Sequence, residues 1–588
     1  MADSVGAALP LRWFSYGFRI RAHALPYLTI IFTLWLVLVP LIFLIMFSFR
    51  LGTPWQPGRF TLQHYITAYS DPQVYVMFLN TSVLALFSTL LSVIIAVCFA
   101  FLTERTDMPF RNLAWGLILV PMAVPGILYA ISWTLLLSPK IGLMNVWLRS
   151  FLSLFGVEIN EGPLNIYSLW GMVFVDGIRG VTTVFLIVVG AFRAMDPNLE
   201  EAARVSGAPT YTTFFRILIP LLTPAILAAF MYSFMSSLES LEIPMIIGFP
   251  AGIYVLSTYI YYSAHRFAPP QYGLSAALGT IFLVVCVILV YGYRRVAGQA
   301  SRFATITGKG YRPRVISLGK WRYPAFFAFL LYFVLTIAAP TLILVWRSLI
   351  AFYVPPSWSG LAQVSLRHYL VVFNEDKIFH ALVNTIVLGT STATLTMLLA
   401  LVIAWVVVRS SFKRRFWLDS ITFLPHSIPG VVIAIALIFL YLNPPFNALN
   451  LYGTLWIIVL GLSASYIAFG SRTMNAAVAQ LHSELEEAGK VSGAKWATVM
   501  RRIIFPLLLP AFISGWIWVA SHSLRSFAVP LMLQTRESIV LSVIMWDLWN
   551  EGKAGPTAAL GILFIIALAI LTVGGRSLVS RLSRQEVA

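Results

Sequence analysis

The sequence predicts an all-α polytopic membrane protein with two parallel six-helix halves, related by a pseudo-two-fold axis along the membrane normal. Of its 588 residues, 59% are hydrophobic and 11% are charged, whereas soluble proteins carry about 25% charged residues. Uncharged apolar runs recur at close to the ~20 residues that a helix needs to cross the hydrocarbon core. The chain also repeats itself, and an even number of spans per half, about 12 in total, returns it to its starting side.

The apolar runs divide the chain into a first half, residues 1–293, a linker, residues 294–322, and a second half, residues 323–588. In the first half we expect spans near residues 25–49, 77–102, 113–137, 166–192, 217–241 and 272–293. The third span contains prolines that should kink it. The segment 243–271 contains four prolines, and we expect it to be irregular and on the outer side. Short motifs recur at an offset of 304. His64-Tyr65 recurs as His368-Tyr369, Asn80-Thr81 as Asn384-Thr385, and Pro121/Pro125-Gly126 as Pro425/Pro429-Gly430.

The net charge of +18 is distributed unevenly. Lys and Arg are concentrated on the face that carries the N-terminus, and the linker 294–322 contains eight of them and no acid. This asymmetry follows the positive-inside rule rather than the pattern of a nucleic-acid patch. We therefore expect a multi-pass membrane protein with both termini and the linker in the cytoplasm, surrounded by membrane lipid and without a nucleic-acid partner.

One polar loop appears twice on this basic face. Residues 200–226 and 486–512 align without a gap at an offset of 286, and 15 of 27 positions are identical. In each copy the acids suit the first turn of a short helix, and a glycine, Gly207 or Gly493, permits the left-handed turn that ends it. Pro220 and Pro506 mark entry to the following span. We call residues 196–219 and 482–505 the twin loops.

The twin loops resemble the signature of importer-type ABC transporter permeases, in which Glu-Ala-Ala is followed after three residues by Gly and after nine more by Ile-x-Leu-Pro. Each half resembles one six-span permease of the metal, polyamine and molybdate type, with Gly489 as a departure from Ala. The resemblance implies that each loop docks in a cleft of an ATPase subunit. The residues implied are Glu200, Glu201, Ala202, Ala203, Gly207, Pro220, Glu486, Glu487, Ala488, Gly489, Gly493 and Pro506.

The fused arrangement resembles the ferric-iron transport permeases of bacteria. It implies import of a small solute, ferric iron, delivered by a periplasmic binding protein and moved by alternating access. Two copies of an ABC ATPase would bind ATP and Mg, so that this chain needs no cofactor of its own. Fused permeases for 2-aminoethylphosphonate, or permeases for polyamines and other small solutes, are alternatives. An ion-coupled secondary carrier is an alternative of another class, although the loop 103–112 lacks the Gly-x-x-x-Asp-Arg pattern typical of such carriers.

The resemblance places the solute path between the halves, beside the third and fifth spans of each. At the end of the fifth spans Glu239 corresponds to Arg525, and an ion pair between them could gate the path. The candidate path residues are Ser237, Glu239, Glu242, Ser523, Arg525 and Ser526. Asp176 and Arg179 lie three residues apart in the fourth span, where they could pair on one helix face.

Catalytic and metal chemistry are not indicated. No Gly-x-x-x-x-Gly-Lys-Ser/Thr pattern is present, so the chain is not expected to hydrolyse ATP. The two cysteines, Cys98 and Cys286, lie in apolar runs and read as inert core residues. We expect no metal site.

Overall fold

The computed structural model describes residues 12–195, 202–203, 205–300, 315–410, 415–482 and 484–585. Glu200 and Glu201 lie outside these residues. Within them, ten helices, five in each half, are long and apolar enough to cross a membrane. The third span is bent at a break, and the short apolar helix Gly430–Tyr441 follows a similar break at the corresponding position of the second half, which we count as the ninth span. The predicted all-α polytopic fold is confirmed.

The first half contains six spans. They are Arg12–Ser48; Pro72–Arg105; the broken third span of Arg111–Leu117, Val120–Ala123 and Gly126–Leu137; Leu169–Ala194; Thr210–Leu238, of which Phe214–Leu218 is a π-turn; and Tyr272–Ala300. A two-stranded hairpin, Arg50–Thr53 with Gln56–Phe60, and two short helices, Gln63–Ser70 and Leu143–Ser153, lie between spans.

The second half repeats this order. Its spans are Gly319–Leu349, with a π-turn at Val334–Ala338; Asp376–Arg409; the broken ninth span of Arg415–Phe423, Leu424–Ser427 and Gly430–Tyr441; Leu455–Gln480; Trp496–Leu524, with a π-turn at Met500–Ile504; and Ala554–Gln585. Short helices between them are Trp358–Leu361, Arg367–Asn374, Phe446–Leu449 and Glu484–Val491.

Proline explains the break in the third span, as predicted. Val124 precedes Pro125 and is extended, with φ −87° and ψ 123°, because a following proline disfavours the helical conformation. The two parts of the span meet at 101°. In the ninth span Ile428, before Pro429, is extended in the same way, with φ −103° and ψ 120°.

The prediction that the segment 243–271 is irregular is wrong. It forms a buried bent pair, Pro244–Ala251 and Leu256–His265, whose parts meet at 76°. Ile246, Ile247 and Ile260 in this pair are at most 1% exposed. The corresponding helices of the second half are Ala528–Leu533 and Leu541–Asn550. The prolines mark bends in a packed element, and the apolar run between them was the signal that it is buried.

The first span of each half packs against the other half. Leu36 and Val37 belong to the core of the second half, while Phe329 and Tyr332, at the start of the seventh span, belong to the core of the first. The ring of Phe99 lies 5.4 Å from Phe329. The halves are therefore interleaved, which the repeat pattern did not predict.

Candidate docking loops and translocation path

Each twin loop contains a short helix that ends at a glycine. Gly207 has φ +79° and Gly493 has φ +76°, the left-handed conformation that glycine adopts most readily. The residue after each glycine donates its N–H to the carbonyl five residues earlier, Ala208 to Ala203 and Ala494 to Gly489, both at 3.0 Å. This is the Schellman geometry of a helix end, so the two loops share one backbone design.

The helix of each loop turns one apolar side chain fully outward. Val205 is 88% exposed and Val491 is 90% exposed, and they are equivalent at the offset of 286. A single exposed apolar side chain is common on protein surfaces, but valines that recur at the same exposed position in both copies are candidate contacts for a docked partner. Sequence reasoning overlooked them, although a valine among polar neighbours was visible in both copies.

The two adjacent small residues of the signature differ in exposure in each twin loop. Ala202 and Ala488 are exposed, whereas Ala203 and its counterpart Gly489 are buried. A Cβ on Gly489 would lie 2.7 Å from Val499 Cγ2, so the departure from alanine there makes room for packing inside the loop. Glu487 is exposed and Glu486 is largely covered.

Pro220 and Pro506 each follow a π-turn at the entry to the span Ile219–Leu238 or Phe505–Leu524. A proline inside a helix lacks an N–H and its ring crowds the carbonyl four residues earlier. A wider turn before it accommodates both effects. The chain therefore enters each span as one continuous helix, which is widened locally at the π-turn.

The candidate path residues lie at the ends of the fifth and eleventh spans. Glu239 and Arg525 occupy equivalent positions there as C-caps, with φ −84° and −95°. The structure contains no ion pair between these two described residues, so their predicted pairing is wrong. Arg525 instead reaches across to the first half, where its Nη1 donates to the carbonyl of Met122 in the broken third span.

His522 supports the side chain of Arg525. Arg525 Nη2 donates to His522 Nε2 at 2.6 Å, so Nε2 must carry the lone pair and Nδ1 the proton. His522 Nδ1 donates in turn to the carbonyl of Trp518 at 2.9 Å, and the His522 ring stacks on Trp518 with centroids 3.7 Å apart. A neutral histidine thus holds Arg525 in place against the other half.

The predicted ion pair between Asp176 and Arg179 is also wrong, because each has another partner. Arg179 Nη1 lies 3.3 Å from Glu242 Oε2. Glu242 belongs to the start of the segment that follows the fifth span. Gly126 makes this possible, since a Cβ there would lie 1.5 Å from Glu242 Oε2. The pair is therefore seated directly on the break of the third span.

Asp176 is held by serines. Ser237 Oγ donates to Asp176 Oδ2, Ser240 Oγ lies 3.5 Å from Oδ1, and Ser88 lies 2.7 Å from Ser237 Oγ. Hydrogen bonds of this kind make a carboxylate tolerable inside a membrane protein.

The second half has no counterpart of this network. Leu462 stands where the first half has Asp176, and Ala528 stands where it has Glu242. Of the described residues, the hydroxyls of Thr392 and Ser523, which correspond to Ser88 and Ser237, are buried without a hydrogen-bond partner. Ser526 offers its carbonyl to Ser542 Oγ at 2.7 Å. The carboxylates among these residues thus all belong to the first half, whereas the second half contributes Arg525. Within the described residues, no group of three or more His, Cys, Asp or Glu could hold a metal ion.

Comparison with known proteins gives the following likenesses. The model of the family described as "Binding-protein-dependent transport system inner membrane component" matches residues 89–302 and 396–584, once in each half. A ferric transport system permease protein of Actinobacillus pleuropneumoniae is 25% identical over 509 residues, covering 84% of this chain and 69% of that protein. A spermidine/putrescine transport system permease protein of Haemophilus influenzae is 25% identical over 248 residues, 42% of this chain and 93% of that protein. A solved structure of a bacterial ABC transporter that imports alginate matches 44% of this chain and 94% of its own, with TM-score 0.37 and 19% identity.

Proposed function

Because the chain belongs to the family of binding-protein-dependent transport system inner membrane components, we propose that it imports ferric iron by alternating access, driven by a separate ATPase docked on the twin loops. The family is one of ABC importer permeases, which decides against an ion-coupled secondary carrier. It is a membrane component and not itself the ATPase.

The observation that carries the docking proposal is the matched pair of exposed valines, Val205 and Val491, on helices with the same glycine-terminated end. Because the twin loops are nearly identical, they are suited to bind two copies of one ATPase subunit. The excess of Lys and Arg on the face of the twin loops supports a cytoplasmic position for the ATPase, the linker and both termini, with a periplasmic binding protein on the opposite face.

Ferric iron is supported by how much of the chain is matched. The ferric permease relative aligns across both fused halves, 84% of this chain, whereas the spermidine/putrescine relative aligns with 42%. A polyamine or 2-aminoethylphosphonate remains the competing solute.

The path runs between the halves, where two contacts close it. Arg525 spans the seam to the Met122 carbonyl, and the Arg179–Glu242 pair rests on the third-span break. Closure of the ATPase dimer would move the halves relative to each other and break the Arg525 contact across the seam. The Arg179–Glu242 pair lies within the first half, and movement at the break of the third span would open it. Solute delivered from outside would then enter the seam.

The test is uptake into proteoliposomes containing this chain, its ATPase and its binding protein. We expect ATP-dependent accumulation of radioactive iron that unlabelled spermidine and 2-aminoethylphosphonate do not reduce. Accumulation of either competitor instead of iron would overturn the assignment of the solute. Iron uptake that continues without the ATPase would overturn the docking proposal.

A further inference from the structure

Two arginines occupy equivalent positions at the ends of the second and eighth spans. Arg105 is the last residue of Pro72–Arg105, and Arg409 is the last of Asp376–Arg409. Arg105 Nη2 donates to the carbonyls of Phe192 at 2.5 Å and Met195 at 3.1 Å. Arg409 Nη2 donates to Val478 at 3.1 Å and to Leu481, which are the same two positions 286 residues later.

These carbonyls belong to the end of the span that leads into each twin loop. The last four carbonyls of a helix have no partner within it, and a cation at this end is favoured by the helix dipole. Arg105 is only 2% exposed, so its hydrogen bonds form with little competition from water. Each arginine thus ties the end of the second or eighth span to the end of the fourth or tenth.

The tie acts at a point where the backbone turns. Met195 and Leu481 leave their helices in an extended conformation, with ψ 138° and 135°, and the twin loop begins at the next residue. An extended residue between two helices can act as a hinge, because rotation about one of its backbone dihedrals changes the direction of the chain that follows. The arginine fixes the carbonyl of that very residue.

In the second half the arginine also contacts the loop itself. Arg409 Nε lies 3.4 Å from Glu486 Oε1, and both side chains are 15% exposed. The neighbouring Glu487 is exposed. The two acids of the repeated motif therefore face in different directions, one toward the transporter and one toward solvent.

From these contacts we infer that Arg105 and Arg409 are positioning residues that make each twin loop and the ends of two spans move as one unit, and that Glu486 serves this clamp rather than the ATPase surface. The inference rests on the proposed function of the loops as ATPase docking sites. Without the clamp, a push on a loop would rotate it about Met195 or Leu481 instead of moving the half.

The first experiment needs no ATPase. Spin labels at positions 205 and 491, on the full chain with Cys98 and Cys286 replaced, report the distance between the loop tips. Arg409→Gln should replace a narrow distance distribution with a broad one, while Arg472→Gln should leave it narrow. Arg472 is a matched control, because its ion pair with Asp419 at 3.2 Å lies in the same half and contacts no loop carbonyl. An unchanged distribution in Arg409→Gln would overturn the inference.

The second experiment measures solute imported per ATP hydrolysed in the reconstituted complex. Arg409→Gln should lower this ratio about tenfold while the ATPase stays bound, within the range of coupling energies that single residues carry. Arg409→Lys should be intermediate, because an ammonium keeps the charge but not the planar donor set. Glu486→Gln removes only the ion pair and should lower the ratio less than Arg409→Gln.

The two experiments separate the two possible failures. If the wild-type chain binds no ATPase, the proposed function fails, while the spin-label distances still report on the clamp. If the ATPase binds and both Arg409→Gln and Glu486→Gln retain the wild-type ratio, the clamp inference fails. If Arg409→Gln does not yield a folded complex, a wild-type ratio and a narrow distribution in Glu486→Gln would overturn the assignment of that acid.

Discussion

Replacing Gly126 with alanine tests whether the Arg179–Glu242 pair keeps the path closed. The new Cβ would lie 1.5 Å from Glu242 Oε2 and 2.7 Å from Arg179 Nη2. Ordinary van der Waals contact begins at 3.4 Å, so the carboxylate must retreat by about 1.9 Å. Because the displaced atoms are the ends of flexible side chains, the fold should survive while the ion pair is lost.

Two opposing free energies decide the outcome. Alanine is favoured over glycine in a helix by up to about 1 kcal/mol, whereas a hydrogen bond to a charged group contributes about 1.5–3 kcal/mol. With the full offset we expect Gly126→Ala to destabilise the closed state by about 0.5–2 kcal/mol, and the middle of this range is about a tenfold change in the population of open states.

The assay is ATP hydrolysis by the reconstituted complex without binding protein, which should rise about tenfold in Gly126→Ala. Gly430→Ala is the matched control, because its Cβ would meet only Val529 and Ala528, at 3.2 and 3.3 Å, and should leave basal hydrolysis near the wild-type rate. Glu242→Ala should reproduce the effect, and adding Gly126→Ala to it should add nothing. Equal behaviour of Gly126→Ala and Gly430→Ala would refute the reasoning.

Three further outcomes are expected. The double variant Gly207→Val with Gly493→Val should uncouple uptake from ATP hydrolysis, because each non-glycine residue at positive φ costs about 1–2 kcal/mol. The strain comes from the backbone alone, since nothing lies within 4 Å of either new Cβ. Wild-type coupling would contradict this prediction. Reversing the charges of Glu239 and Arg525 together should leave uptake as impaired as Arg525→Glu alone, since the two do not pair, and recovery would show that they do. Asp176→Leu should lower the free energy of unfolding in detergent by about 1–3 kcal/mol, because it removes the acceptor for Ser237. Asp176→Asn should lower it less, and equal unfolding midpoints for the two variants would argue against the serine network.

Much of the backbone was predictable because hydrophobicity and proline act locally. The apolar runs located the spans to within several residues, and Pro125 predicted the break in the third span. The repeat predicted that Gly207 and Gly493 share one conformation, and their φ angles differ by only 3° (79° and 76°). Even the recurring Asn-Thr pairs have one role, since Thr81 and Thr385 each accept the N–H that starts the second helix of the buried bent segment, both at 2.8 Å.

Side-chain partners were less predictable, because equivalent backbone positions have different neighbours. Glu239 and Arg525 have nearly the same cap conformation, yet Arg525 bonds to Met122 across the seam. Arg179 lies three residues from Asp176 but pairs with Glu242, which is distant in sequence. Spacing along one helix identifies possible pairs, whereas the neighbouring helices determine which pair forms.

The exchange of first spans between the halves limits how this transporter can open. Phe47 of the first half stacks on Phe439 of the second with centroids 4.6 Å apart, and Tyr332 of the second donates to the carbonyl of Ile178 in the first at 3.3 Å. Because each half packs its first span against the other, the halves can tilt about their common axis. They cannot separate without exposing buried apolar surface on both. Neither half is complete by itself, so a single fused chain delivers both at once and in equal number.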